Sequence, residues 1–310
     1  MDDYRSNAKD TPLVSVIIPT YRRAEMINRA INSVISQDYG LENLEVIVVD
    51  DNPESAERDD TLRQLGEYKG IEQVRVLHTT GGTGGGAARN YGCGQAGGKY
   101  LAFLDDDDEF LQGKISSQVA FMEAQELDMS WQDVSWYDET GRLVEHRHLD
   151  HCSDFSKEGL IRAHLERPLC PTSTYMIRRS LFNRTDGFGE FRTGQDWWLV
   201  IRCIEAGAKM GYQKGTFVRQ YLHPGERLSL GENKIAGENA RYEAGKAYYG
   251  ILKKSEIRHV DFRHWAVLAF ASARSGNWMP AMRYAARAFV TSPVDCLTEG
   301  IDFFTRGKRA

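Results

Sequence analysis

Leu44-Glu-Val-Ile-Val-Val49, followed by Asp50-Asp-Asn-Pro53, is a nearly continuous apolar run that stops in acid and a proline. Bounded by such a turn signal, it has the pattern of a strand covered on both faces, as in a sheet with helices on each side. The flanking sequence fits. Leu13 to Ile18 is an expected strand stopped by Pro19, and Ala24 to Ser36 spaces Met26, Ile27, Ala30, Ile31, Val34 and Ile35 at helical steps of three and four. Gln73 to His78 repeats the strand pattern. A glycine-rich turn and a helix from about Gly86 to Ala96 follow, and Lys99 to Leu104 is a fourth strand ending in Asp105-Asp-Asp-Asp108. This alternation predicts an α/β fold. Ligands of open α/β sheets sit beyond the carboxyl ends of the strands, so the acidic strand ends are expected to line one crevice.

Further along, Trp131 to Tyr137 and Arg142 to His148 flank Asp138-Glu-Thr-Gly141 and read as a hairpin. Gln195 to Ala206 reads as a helix closed by Gly207. Beyond about Gly231 only alanine-rich helical patterns remain. The expected organisation is a flexible tail over 1–11, an α/β domain over 12–231 and a small all-α extension over 232–310. The 310 residues carry 39 Lys plus Arg against 44 Asp plus Glu, a net charge of -5, which gives no basic footprint for nucleic acid. No apolar stretch approaches the ~20 residues of a membrane span. The polar start has no apolar segment of a secretion signal, and the 5 cysteines lack any Cys-x-x-Cys, so a reducing cytoplasm is expected.

Four successive aspartates at the end of a buried strand repel one another, and a divalent cation resolves that repulsion; hard oxygen ligands suit Mg or Mn. The alternative is a solvated acidic turn. Five segments taken in order carry a resemblance: Ser15-Val-Ile-Ile-Pro-Thr-Tyr21, Val46-Ile-Val-Val-Asp-Asp51, Gly84-Gly-Gly-Ala-Ala-Arg-Asn90, Tyr100-Leu-Ala-Phe-Leu-Asp-Asp-Asp-Asp108 and Gly194-Gln-Asp-Trp-Trp198. Over residues 13–230 the chain resembles the family 2 glycosyltransferases. The resemblance implies a GT-A fold, a Rossmann-like mixed sheet flanked by helices. It also implies inverting transfer of a sugar from a nucleotide-diphosphate donor, with Mn or Mg.

Carried onto this sequence, Pro19, Thr20 and Tyr21 edge the nucleotide pocket. Asp51, with Asp50 beside it, resembles the aspartate that accepts the uracil imide N–H, a donor that cytosine lacks, so a UDP-sugar leads. Asp105 and Asp107 align with the family's Asp-x-Asp, with Asp107 the direct metal ligand and Asp106 near the ribose. Acid at all four positions leaves Asp106 and Asp108 open as alternative ligands. Asp196 matches the family's general base, although an Asp in the first turn of a helix also serves as a plain dipole partner. Gln195 stands where the family commonly has Glu. Trp197 and Trp198 are candidates for stacking on an acceptor sugar, one of them more at home in the core. His223 resembles a family histidine on metal or pyrophosphate, and Arg227 lies in the same loop. Arg89 either supports the donor or pairs with the Asp loops. The implied enzyme is a hexosyl- or N-acetylhexosaminyltransferase. It would add one sugar to a hydroxyl of a polysaccharide, glycolipid or glycoprotein.

Two rival readings stand beside it. Gly82-Thr-Gly-Gly-Gly-Ala87 imitates a dinucleotide-binding turn, which would make the chain a dinucleotide-dependent enzyme or a nucleotidyltransferase, but two βα units precede it. A catalytically silent scaffold is the other. His146, His148, His151 and Cys152 superficially suggest zinc, yet match no zinc spacing and fit a polar hairpin edge. Trp265, Leu268, Ala269, Gly276, Trp278, Ala281, Ala288 and Pro293 resemble one tetratricopeptide repeat over about 262–295, which needs a further surface to cover it. Residues 253–310 hold 10 basic and 5 acidic residues, and end in Ile301-Asp-Phe-Phe-Thr-Arg-Gly-Lys-Arg309. Two readings of this end stand side by side: it rests on the inner face of the cell membrane or on a second copy, or it is a solvated helix face with a frayed tail.

Overall fold

The structure, a computed structural model, describes residues 11–189, 193–222 and 231–306, with no side chains described for 231, 232 and 300–306. Residues 1–10 of the expected tail and the last residues of the basic end lie outside it. In chain order the elements are β1 (Val14–Thr20), α1 (Ala24–Ile35), β2 (Leu44–Asp50), α2 (Ala56–Leu65), β3 (Val74–His78), α3 (Gly85–Gln95), β4 (Tyr100–Phe103), β5 (Glu109–Phe110) and α4 (Lys114–Ala124). Then come β6 (Met129–Asp138), β7 (Leu143–Arg147), α5 (Lys157–Glu166), β8 (Tyr175–Arg178), α6 (Arg179–Phe182), α7 (Gln195–Glu205) and β9 (Met210–Leu222). Four helices follow: α8 (Gly231–Gly245), α9 (Lys254–Arg274), α10 (Trp278–Thr291) and α11 (Pro293–Arg306). Among the described residues no helix is long and apolar enough to cross a membrane.

The strands form one mixed sheet in the order β3-β2-β1-β4-β8-β6-β9-β5, with β7 on β6. β1 is parallel to β2 and β4, β2 is parallel to β3, and β8 is antiparallel to β4 and β6. Pro19 does not stop β1, which runs on to Thr20. The backbone of Ile17 faces β4, where its carbonyl accepts from Leu104, and that of Thr20 faces β2, where its carbonyl accepts from Asp51. By alternation the missing N–H of Pro19 lies on the β4 side, where pairing with β1 ends at Phe103, so no ladder bond is lost.

The chain divides into two compact units. The first is the described part of Met1–Val134 with Thr172–Arg184 and Lys209–Gln220. Its core is β1, β2 and β4, whose Val16, Ile17, Ile18, Val46 to Val49 and Tyr100 to Phe103 are fully buried. Helix α3 lies tight against it: a Cβ on Gly92 would come within 2.7 Å of Ile17 Cγ2 and 3.0 Å of Val49 Cγ2. That close approach holds the loop before α3 at the ends of β1 and β2.

The second unit is Ser135–Pro171, Thr185–Ala208 and the described part of Tyr221–Ala310. Here α9 ends at Arg274 with Ser275 as its cap, and Gly276, in the left-handed region at φ 75°, turns the chain into α10. Leu268 and Ala271 of α9 and Ala281 and Ala288 of α10 are buried, and Trp265 stacks on Tyr284 at 6.0 Å. Small side chains on α10 let the two helices approach closely.

Candidate active site

In the first unit, the aspartate run leaves the sheet while still hydrogen-bonded to it, with Leu104 N donating to Ile17 O at 3.1 Å. Asp108 N then donates to Asp105 O at 3.0 Å and closes a four-residue turn. Such a turn brings its first and last residues together. Carboxylate oxygens of Asp105, Asp107 and Asp108 accordingly lie within 4.8 Å of one another, the one such group of potential metal ligands among the described residues.

Asp106 is turned elsewhere. It accepts from Thr20 Oγ1 at 2.8 Å and from Arg23 Nη1 at 3.3 Å, which ties the run to the end of β1. Burial, followed by the Asp107 charge, pushes its carboxyl up to about 7 against the pull of Arg23 and Thr20. Arg23 also bridges to Asp107 at 2.5 Å, and Arg29 Nη2 donates to the Asp107 carbonyl at 2.5 Å. Arg89 forms an ion pair with Asp105. Asp108 is held by Ser173 Oγ at 2.8 Å and Gln220 Nε2 at 3.0 Å, both neutral. Burial, then Asp107 and Asp105, pushes its carboxyl well above the usual range. A buried carboxylate with neutral partners beside two other carboxylates is the donor set that a hard divalent cation satisfies, so the residues fit such an ion. Arg23, Arg29, Ser173 and Gln220 are additions to the sequence reading. A signal for Arg23 existed in the basic pair Arg22-Arg23 after Thr20-Tyr21, facing a run of acid.

Asp50 and Asp51, adjacent in sequence, do different work. Asp50 is fully enclosed, accepting from Asn52 N and Nδ2 at 3.0 and 2.7 Å and facing Arg58 Nε at 3.2 Å and His78 Nδ1 at 3.1 Å. The Asp51 carboxylate accepts four hydrogen bonds: from Thr79 Oγ1 at 2.5 Å, Thr83 N at 3.0 Å, Thr83 Oγ1 at 2.6 Å and Gly84 N at 2.8 Å. Its carboxylate therefore occupies the N-terminus of α3, where a dinucleotide turn would receive its pyrophosphate. Tyr21 is exposed under the Arg22 guanidinium, 5.1 Å from its ring, and Arg22 N is pinned to Asn52 Oδ1 at 2.8 Å. Pro19 is half-buried. Among the suggested zinc ligands, His146 contacts Ser135 Oγ at 2.6 Å and His151 contacts the Arg167 carbonyl at 3.0 Å, as in a polar hairpin edge.

Asp196 lies in the second unit, in the first turn of α7 after Gly194, which takes the left-handed region at φ 76°. Its Oδ1 accepts from Trp197 N at 2.9 Å. Trp197 is 2% exposed and stacks on His164 at 5.3 Å, so it belongs to the core and not to a sugar-facing surface. Trp198 is half-buried, edge-on to Trp197 at 5.0 Å. His223 and Arg227 lie outside the described residues.

His164 fixes this end of α7. Its Nε2 faces the Trp197 carbonyl at 3.1 Å and its Nδ1 accepts from Leu169 N at 3.2 Å, a pair that only the neutral ring satisfies. Burial depresses its pKa to about 3. The unfolded chain takes up a proton near the ordinary value of ~6.5 while the folded chain does not, so stability is present above ~6.5 and falls as the pH drops toward about 3. The slope approaches one proton, ~1.4 kcal/mol per pH unit. Urea unfolding of His164→Gln between neutral and mildly acidic pH is expected to show a shallower slope than the parent. Equal slopes would contradict the assignment.

Residues 15–185 match the family model described as glycosyl transferase family 2, more than half of the chain. The chain belongs to glycosyl transferase family 2. The matched segment of this family 2 chain holds the whole carboxylate run, whereas Asp196 lies beyond it. An uncharacterized glycosyltransferase of Rickettsia felis is 32% identical over 203 residues, covering 65% of this chain, which spans only 32% of that protein's length. WcaA of Escherichia coli, a glycosyl transferase named for colanic acid biosynthesis, is 24% identical, covering 87% of this chain and 96% of its own. Among solved structures, S. aureus TarS 1–349 in complex with UDP-GlcNAc superposes with a TM-score of 0.62 at 18% identity, covering 88% of this chain and 90% of that one. PcManGT of Pyrobaculum calidifontis, a mannosyltransferase in complex with GDP-Man and Mn2+, gives 0.58 at 15% identity, covering 93% and 88%. The fold is thus of the GT-A type.

Proposed function

We propose that this chain transfers a single sugar from a nucleotide-diphosphate sugar, a UDP-sugar first among them, to a hydroxyl of a surface polysaccharide, glycolipid or glycoprotein, with inversion. The observation that carries the reading is the convergence of Asp105, Asp107 and Asp108 at the end of β4 within a family 2 chain. TarS with UDP-GlcNAc and PcManGT with GDP-Man and Mn2+ are relatives in fold that hold such donors. Free cysteines throughout the chain are in keeping with a cytoplasmic setting.

Thr20, Tyr21 and Pro19 edge the nucleotide in this proposal, and Asp106, already anchored by Thr20, faces the ribose. Asp51 accepts the uracil imide only by exchanging one of its present donors; the Thr83 hydroxyl is free to rotate away, whereas the Thr83 and Gly84 amides are fixed. Asp50, enclosed by Arg58 and His78, supports this from behind. Arg89 keeps Asp105 in place. Mn or Mg on Asp105, Asp107 and Asp108, with His223 as a further candidate ligand, would stabilise negative charge on the departing diphosphate. The acceptor hydroxyl has a pKa far above neutrality, so Asp196 takes its proton as the acceptor oxygen bonds to the anomeric carbon. The bond from that carbon to the diphosphate breaks on the opposite side, which inverts the centre.

The test is a panel of nucleotide sugars with Mn, Mg or chelator, read as nucleoside diphosphate release and as a shift in melting temperature. A UDP-sugar is expected to give both, each dependent on the metal. Neither signal with any donor would reject the reading.

A further inference from the structure

Helix α10 is built inside out. Surface helices normally turn their apolar stripe to the core. Here the buried side is Ala281 and Ala288, while Trp278, Met279, Met282, Phe289 and Val290 are between 54% and 80% exposed. At about 100° per residue these five and Ala286 fall within an arc of about 120°. An exposed apolar set of this size on one face marks an interaction surface. An open groove lined by Trp265, Ala286, Arg287, Val290 and Thr291 adjoins it, and Val294 and Leu297 at the start of α11 are exposed as well.

Charge decides between occupants. From Phe262 to Val294 the chain has no acidic residue and carries Arg263, Arg274, Arg283 and Arg287, of which Arg263 pairs with Glu299; Asp295 and Glu299 of α11 are engaged by α9, facing His259 at 3.4 Å and Arg263 at 2.9 Å. Arg283 and Arg287 are exposed and follow the apolar arc along one border of α10, and Arg274 is exposed at the end of α9. Two copies pairing through this face would set arginine against arginine with no acid on the helix to answer them. A negatively charged lipid surface answers both features at once, taking the apolar arc into the headgroup boundary and the arginines at its rim. We infer that α10, with the start of α11, lies in the plane of an anionic membrane and docks the chain there through Met279, Met282, Phe289 and Val290.

The test is sedimentation of the full chain with vesicles rich in phosphatidylglycerol and with vesicles of phosphatidylcholine alone, without donor or metal, so that its outcome is separate from that of the transfer reaction. The parent chain is expected to pellet with the anionic vesicles only. Met282→Glu and Phe289→Glu, both at exposed positions, should each weaken that binding by at least about tenfold with no change in melting temperature. The double variant Arg283→Gln, Arg287→Gln should lower the preference for anionic lipid. Parent chain left in the supernatant, or apolar-face variants that pellet like it, would overturn the inference. So would binding lost with Lys308→Gln, Arg309→Gln alone, which would assign it to the basic end, or a dimer in light scattering that Phe289→Glu dissolves, which would assign the face to a second copy.

Discussion

Asp196→Asn is expected to lower turnover by about 10²–10⁴-fold, the range that a positioned general base contributes, with donor affinity and melting temperature unchanged. The amide has nearly the size of the carboxylate and still accepts through its oxygen, so the bond from Trp197 N at 2.9 Å survives. What it lacks is the ability to take a proton. The core beneath is independent of this substitution, because Trp197 is held by its own stack on His164 and by its carbonyl. Initial rates at saturating donor and varied acceptor, beside donor binding by calorimetry, separate the two roles open to this residue. A fall in kcat with intact donor binding supports the base. An active Asn variant of lowered melting temperature would leave Asp196 as a dipole partner of α7 and nothing more.

The second large effect is expected from Asp107→Ala. Asp107 is common to the carboxylate group and to the Arg23 bridge, so its removal takes one ligand from the cluster and frees Arg23 to pair with Asp106 alone. Loss of a direct ligand should exceed the ~10–100-fold fall in metal affinity seen when a supporting partner of a ligand is removed. Turnover is expected to vanish at metal concentrations that saturate the parent, and Mn titration followed by the relaxation of water protons should show the lost site directly. Asp108→Asn is expected to behave alike, and Asp106→Asn to retain metal binding, since Asp106 faces Thr20 and Arg23. Metal binding lost in Asp106→Asn but kept in Asp108→Asn would mean that the turn was assigned in the wrong register.

That register shows where the sequence stops being legible. Four identical side chains in a row carry no mark of which point together. The choice is made by the bond from Asp108 N to Asp105 O, which joins the ends of the turn and sends Asp106 outward to β1. The parallel half of the fold, by contrast, is readable because each of its strands is a short apolar run ended by a polar turn. β8 and β9 are not. β8 has four residues, and β9 carries Gly211, Lys214, Gly215 and Arg219. Gly211 is there because a Cβ would come within 2.6 Å of Leu127, a contact between segments far apart in the chain. Likewise Asp50 and Asp51 look equivalent in sequence, and only their opposite directions at the end of β2 make one an anchor for Arg58 and the other a cap for the glycine turn.

The cap has a consequence for the speed of binding. Loops that cradle phosphates are commonly loose until an anion gathers their amides, and fixing each side chain or loop segment on binding costs about 0.5–1.5 kcal/mol. Here Asp51 gathers the amides of Thr83 and Gly84 in the free protein. The turn is ordered during folding, once, rather than at every encounter with donor. If the proposed function holds, a nucleotide reaching the ends of β1 and β2 needs only the Thr83 hydroxyl to turn away from Asp51, and its association should follow a single fast phase with no slower ordering step behind it.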